Sequence, residues 1–528
     1  MSNYPDQRRN RHVQLAHNWH LIVAILLALF ALGWTLYWPR LGYDDAYITY
    51  RYAHNIALGR GFVYNPGEHV LGTTTPLYTL LLAALSLIWP DIPSLSIVLS
   101  GLSWGAAVLL LYAIGRKAHN AWVGLLAAAF LALDALINNA ISMETCFYIA
   151  LGLLALYLHM REHPHWSAFI AALAFLTRWD GILIISALLL AEFIRTRRLP
   201  WSMAVVWAVI AAPWLLFSQL YFGSIFPNSF FAKMGQVSSG LVGGGAESFG
   251  RVLLNLLQER VRLNPVAWLY APLGLIGLSL RWPKPPAWWP LWLWTMLYLG
   301  GYIALGVIGF HWYYPPLVPA VALAISQGVV RVAEILADRA RRPALGVALV
   351  SGLGLLCLWP QVQTLWMNRF APDAHVESYR QVSDWFLKNS PRNSSIGTLE
   401  IGVIGYQTGY PIVDMMGLVS PAMLGHLGDW DQVHHYSIAR HWPDYAVAIQ
   451  GSVWLRSQGW FHDIYSPVGT IENPLDPFAP VEIYRRRLDF PPPTICSRGH
   501  KTLPSTSFLC LKPFRYSPHS LIRNFLFG

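Results

Sequence analysis

Apolar residues run in blocks of about 20 along the first two thirds of the chain. Short polar or basic turns separate the blocks, and past Gln361 the pattern changes to shorter alternating segments. A block of that length suits a helix crossing a bilayer, because each residue rises about 1.5 Å and the hydrocarbon core is about 30 Å thick. In order, the predicted apolar helices are 19–38, 76–89, 95–115, 121–137, 145–160, 166–177 with 181–194, 201–221, 263–280, 288–308, 313–332 and 343–359. The stretch 222–262 reads as a long polar loop. The stretch 43–76 is the longest polar, turn-rich passage of the first third. Within it, AYITYRYAHNIAL has apolar residues at helical spacing and predicts a short helix on the membrane surface. Gly-Arg-Gly and Asn-Pro-Gly-Glu then mark turns.

The basic clusters orient this array. Arg116–Lys117, Arg161, Arg195–Arg198, Arg281–Lys284 and Arg339–Arg342 all fall on one side if 76–89, short and bounded by prolines, is re-entrant or surface-lying. The resulting expectation is a polytopic α-helical membrane protein with about 11 crossings, N-terminus inside and C-terminus outside. Residues 1–18, with Arg8, Arg9 and Arg11, form a basic cytoplasmic tail. Residues 19–360 form the transmembrane domain, with its first external loop at 39–76, and 361–528 an external soluble α/β or α+β domain. The 19–38 block exceeds the roughly 7–15 apolar residues of a signal peptide, and no small-residue cleavage site follows it, so it is read as a retained helix.

Composition agrees and removes other classes. The chain is 55% hydrophobic and 12% charged, about half the charge of an ordinary soluble domain. The net charge of +10 would suit nucleic acid, but the basic residues sit where membrane orientation requires them, so nucleic acid is not expected as a partner. Many of the 25 Trp and 25 Tyr lie near segment ends, as interfacial belts do. Cys146 and Cys357 lie in apolar segments and read as packing residues. Cys496 and Cys510 lie in the C-terminal domain, where both a disulfide and free thiols are compatible with the sequence.

The candidate chemistry lies mainly in the loops on the external side. Asp44 and Asp45 start the first loop; there a carboxylate can take a proton from an acceptor hydroxyl, hold a divalent cation, or simply be solvated. Glu144, in Asn-Asn-Ala-Ile-Ser-Met-Glu-Thr, is an acid at a helix start; it suits sugar binding, an acidic metal site shared with Asp45, or helix capping. Arg178 and Asp180, in Thr-Arg-Trp-Asp-Gly, suit either mutual pairing or substrate contact. Lys233 and His311 suit phosphate recognition or interfacial positions. The C-terminal Gly-Val-Ile-Gly-Tyr-Gln-Thr-Gly lacks the spacing of a dinucleotide or phosphate-binding loop. Glu400 and Asp414, at strand ends beside it, suit contact with an acceptor or, more readily, structural roles.

DDAYITYRYAHNIALGRGFVYNPGEHVLGTTTPLY resembles the first external loop of GT-C membrane glycosyltransferases, in particular the mycobacterial terminal-arabinofuranosyltransferase type and its bacterial relatives. Further along, ISMET is similar to their Ser-Gly-Met-Glu-Thr, LTRWDG to Leu-Thr-Arg-Pro-Glu-Gly, and FPNSFFAK to Pro-Asn-Thr-Phe-Tyr-Ala-Lys. GTLEIGVIGYQTGYPIVDMMGLVSP is similar to a motif of their external domain. The likeness departs at Ser142, where glycine is usual, at Trp179-Asp180, and at His311, where arginine is more usual. The resemblance implies an inverting transferase of the plasma (inner) membrane, acting on the external side. Its implied donor is a polyprenyl-phosphate-linked sugar, a hexose or pentose, and its acceptor a cell-envelope glycan, lipid or protein. Asp44 or Asp45 would be the base, with Tyr47, Arg51, Glu144, Arg178, Asp180, Lys233 and His311 binding substrate and a divalent cation (Mg or Mn) as the one cofactor in view. A lipid-carrier flippase and a non-catalytic carbohydrate-binding subunit are the competing readings.

Overall fold

The computed structural model describes residues 19–38, 42–238, 248–278, 286–370, 374–427, 436–438, 440–449, 453–476 and 479–488. The basic tail 1–18 and the Cys496 and Cys510 pair lie outside the described residues, as does the cluster from Arg281 to Lys284. The fold is that of a polytopic helical membrane protein. In chain order the helices are α1 (Trp19–Tyr37), α2 (Asp44–Ala57), α3 (Pro76–Ser86), α4 (Ile92–Ala118), α5 (Ala121–Ala132), α6 (Ala135–Asn139), α7 (Thr145–Met160) and α8 (Pro164–Thr177). They continue as α9 (Ile182–Thr196), α10 (Trp201–Phe222), α11 (Asn228–Ser238), α12 (Phe249–Leu263), α13 (Tyr270–Leu278), α14 (Trp289–Ala304), α15 (Val318–Ala340) and α16 (Pro343–Met367).

Among the described residues, six stretches are long and apolar enough to cross a membrane: Trp19–Tyr37, Ile92–Ala118, Ala121–Asn139, Trp201–Phe222, His311–Ala340 and Pro343–Met367. Other apolar helices are shorter; the 16 residues of α7 reach about 24 Å. The chain divides into two compact units. The first comprises Met1–Ala57, Thr74–Ile225 and Gly245–Asp373; the second comprises Leu58–Thr73, Phe226–Gly244 and Ala374–Gly528.

Within the first unit, small residues let helices approach backbone to backbone. A Cβ on Gly277 of α13 would fall 1.9 Å from the Ala324 carbonyl oxygen, and one on Gly328 of α15 1.9 Å from that of Leu273. Only glycine fits either position, as at the close crossings of membrane helices. The 222–262 stretch is not the loop its polarity predicted. It carries α11 and α12, which are amphipathic rather than uniformly apolar and so escape a search for greasy runs.

The second unit continues with α17 (Ala374–Asn389), β1 (Ile396–Thr398), α18 (Gly402–Thr408), β2 (Ile412–Asp414), β3 (Tyr445–Ala448), β4 (Tyr465–Ile471) and β5 (Val481–Arg486). Its sheet has the order β2-β1-β3-β5-β4. β1 runs parallel to β2 and β3, whereas β5 is antiparallel to β3 and β4. The glycine-rich stretch lies on α18, between the parallel neighbours β1 and β2. Part of the first-loop motif belongs here too. The Asn65 side chain donates to the Ile412 carbonyl at 2.9 Å and accepts from the Ile412 amide at 3.1 Å, occupying the backbone groups of β2 as a neighbouring strand would. Tyr64 donates to the Ile401 carbonyl at 2.5 Å. The Asn-Pro-Gly-Glu turn bends through Gly67 at φ +89°, a backbone conformation that glycine adopts at little cost.

Candidate active site

Asp44 and Asp45 form the first turn of α2, where the exposed amides and the helix dipole favour negative charge. Asp44 is buried and Asp45 half-buried. The helix itself is polar in sequence but buried in structure, and its tyrosines anchor it. Tyr47 and Tyr50 pack edge to face, 5.0 Å between centroids. The Tyr50 hydroxyl donates to the Ser142 carbonyl at 2.5 Å, and the Ser96 hydroxyl donates to the same oxygen at 2.8 Å. Tyr47 and Arg51, expected at substrate, are both buried on this helix.

Ser142 has φ +75°, which explains why glycine is usual at this place in the resembling sequences: a Cβ is crowded in the left-handed region. Two residues on, Glu144 enters a buried charge network. Arg178 donates through Nη1 to Glu144 Oε1 at 3.1 Å and through Nη2 to Asp180 Oδ2 at 2.8 Å. The Tyr302 hydroxyl donates to Asp180 Oδ2 at 2.8 Å and lies 3.3 Å from Arg178 Nη2. The guanidinium carbon sits 5.4 Å from the Tyr148 ring centre and 5.7 Å from that of Tyr313. One cation thus holds two carboxylates, and the trio carries a net negative charge. The helix break at Thr-Arg-Trp-Asp-Gly exists to make this network: α8 ends at Thr177, a three-residue 3-10 turn carries Asp180, and α9 begins at Ile182.

A second 3-10 turn, His311–Tyr313, closes the circuit. Tyr313 faces Arg178, while His311 stacks on Tyr43 at 6.3 Å and 14° and Trp312 packs against the same ring at 5.0 Å. Tyr43 is the residue before Asp44. The path from α2 through Tyr50, Ser142, Glu144, Arg178, Tyr313 and His311 therefore returns to α2. Side-chain contacts join Glu144, Arg178, Asp180 and Tyr313, while Asp44 and Asp45 directly follow Tyr43, the ring on which His311 stacks. Lys233 lies on α11, in the second unit. Tyr302, Tyr148 and Tyr313 were missed in the sequence because tyrosines near apolar segment ends look like interfacial belt residues.

Glu144 is engaged by Arg178, and among the described residues no three His, Cys, Asp or Glu side chains gather as metal ligands. In the second unit, Asp414 is fully buried at the end of β2 and accepts from the Met416 and Val419 amides at 2.8 and 2.6 Å. Burial pushes its carboxyl up to about 6 despite those bonds. This is a turn-forming acid.

Residues 367–488 match a family model described as "Domain of unknown function (DUF8728)". No curated protein matches the sequence. Among solved structures, the chain is similar to the oligosaccharyltransferase of Archaeoglobus fulgidus in its apo form, with a TM-score of 0.57 and 13% identity over 87% of this chain and 75% of that one. The same archaeal enzyme, AglB, in complex with an inhibitory peptide and a dolichol-phosphate, matches with a TM-score of 0.57 and 12% identity over 90% of this chain and 75% of that one. ArnT from Cupriavidus metallidurans bound to undecaprenyl phosphate matches with a TM-score of 0.56 and 13% identity over 89% of this chain and 99% of that one. At such identities the likeness shows the fold, and the fold is the GT-C one that the first-loop motifs imply.

Proposed function

We propose that the chain is an integral-membrane glycosyltransferase that moves a sugar from a polyprenyl-phosphate carrier to a hydroxyl of a cell-envelope acceptor on the external face of the plasma membrane. The observation that supports this reading is the placement of Asp44 at the start of a buried helix whose Tyr50 bonds the Ser142 carbonyl, two residues before Glu144 of the Arg178 network. Two of the similar structures hold a polyprenyl-type lipid phosphate, dolichol-phosphate for AglB and undecaprenyl phosphate for ArnT.

In this mechanism the Asp44 carboxylate takes the proton of the acceptor hydroxyl as that oxygen bonds to the anomeric carbon from the face opposite the phosphate. The anomeric carbon–oxygen bond to phosphate breaks, and the lipid phosphate leaves with its electron pair, so the sugar inverts. A positioned base supplies about 10²–10⁴-fold. Glu144 and Asp180 hold sugar hydroxyls, their orientation fixed by Arg178. His311 donates to the departing phosphate, where negative charge develops. No step is assigned to a metal ion.

The test is incubation of purified full-length protein with a panel of polyprenyl-phosphate pentoses and hexoses and a cell-envelope glycan extract, following release of lipid phosphate. Acceptor-dependent release from one member is the expected result. Carrier movement across vesicles without release from any member would favour the flippase reading and overturn this one.

A further inference from the structure

The amphipathic helix α12 has three sectors rather than two. Its packed side is fastened at both ends. At the N-terminus the buried Phe249 ring stacks on Tyr314 at 4.8 Å, its carbonyl accepts from the Tyr314 hydroxyl at 3.1 Å, and its amide donates to the Val307 carbonyl at 2.8 Å. At the C-terminal end Arg260 approaches Asp134 at 3.8 Å. Because both ends are held, the direction of the remaining faces is fixed. One flank carries Leu254 and Leu257, which are 59% and 54% exposed and lie three residues apart, one turn along the same face. The adjoining flank carries Arg251, Asn255, Gln258 and Arg262, at i, i+4, i+7 and i+11, all exposed.

Two leucines held in water would forgo about 1.5–3 kcal/mol each of burial. The helix runs through Asn264 directly into the apolar helical stretch Pro265–Leu278, and Trp268 on that stretch is 68% exposed. We infer that α12 lies in the surface of the membrane, Leu254 and Leu257 seated among acyl chains and Arg251 and Arg262 at anionic lipid headgroups. An apolar flank beside a basic flank, continuous with an apolar helix, is the pattern of an interfacial helix. The anionic preference follows from charge: with Arg260 paired to Asp134, the exposed residues of the helix carry Arg251 and Arg262 against the single acid Glu259. The inference does not depend on the proposed sugar transfer.

Nitroxide labels on Leu254→Cys, Asn255→Cys, Leu257→Cys and Gln258→Cys test it, each in the full chain with the native cysteines replaced, in nanodiscs containing phosphatidylglycerol. Collision rates with dissolved oxygen should be several-fold higher at 257 than at 255, with 254 and 258 between them, and in the reverse order for a water-soluble nickel chelate. Equal chelate access at all four positions would overturn the seating. The double variant Arg251→Glu/Arg262→Glu tests the headgroups. It should lower oxygen access at 257 in phosphatidylglycerol discs and not in phosphatidylcholine discs. An unchanged value in both would overturn the assignment of anionic lipid as the partner.

Discussion

Arg178 donates to Glu144 at 3.1 Å from the far side of a helix break, and both side chains are buried. The same guanidinium holds Asp180 at 2.8 Å. Arg178→Gln therefore leaves two neighbouring buried carboxylates without a counter-charge. Removing one partner of a buried pair costs about 3–5 kcal/mol, so the thermal midpoint of the protein in detergent should fall sharply. Arg178→Lys should recover only part of the loss, because an ammonium cannot present the planar fork that serves both acids. A wild-type midpoint for Arg178→Gln would show that the network is not a structural hub.

Ser142 is the reverse case, a site where the native residue is the strained one. At φ +75° a Cβ costs about 1–2 kcal/mol, and the backbone carbonyl that Tyr50 and Ser96 use is unaffected by side-chain removal. Ser142→Gly should be neutral or raise the thermal midpoint, whereas Ser142→Val should lower it. The opposite order would contradict the reading of this turn.

How far the sequence alone leads depends on what each residue contrasts with. Charges in apolar surroundings stand out, so Asp44, Glu144, Arg178 and Asp180 were legible, as was the self-pairing of Arg178 with Asp180. Long apolar blocks were equally legible. What escaped were residues whose type is common in their setting. Tyr302 looks like a belt tyrosine until Asp180 is found against its hydroxyl. Helices α11 and α12 have too few consecutive apolar residues to stand out from a loop. Asn65 was legible only as part of a turn, since its partner lies 347 residues away.

That partnership gives its own prediction. Asn65→Ala removes a donor and an acceptor from the Ile412 backbone, and unmet buried groups cost about 1–3 kcal/mol each. Limited proteolysis should cleave the second unit faster in the variant. Unchanged cleavage rates would contradict a clasp at β2.

Asp414 predicts a pH dependence with a defined sign. Its folded value, about 6, lies above the ordinary 3.8, so the protonated form favours the folded state. That stability is fully present below pH 3.8 and is lost as pH rises through about 6. Asp414→Asn lacks the titration and keeps a constant deficit, since its amide nitrogen faces a backbone amide. The stability advantage of wild type over Asp414→Asn should therefore narrow between pH 4 and pH 7, by up to ~3 kcal/mol. A gap that widens over that range would reverse the assignment.

Asp44 is where the account is most exposed, because its role is inferred from placement. The decisive measurement is the rate of sugar transfer by Asp44→Asn and Asp45→Asn, singly, on whichever polyprenyl-phosphate sugar the wild-type protein turns over. Asp44→Asn should lose about 10²–10⁴-fold in turnover while still binding donor, with Asp45→Asn losing far less. Wild-type turnover in Asp44→Asn would contradict the assignment of Asp44 as the base.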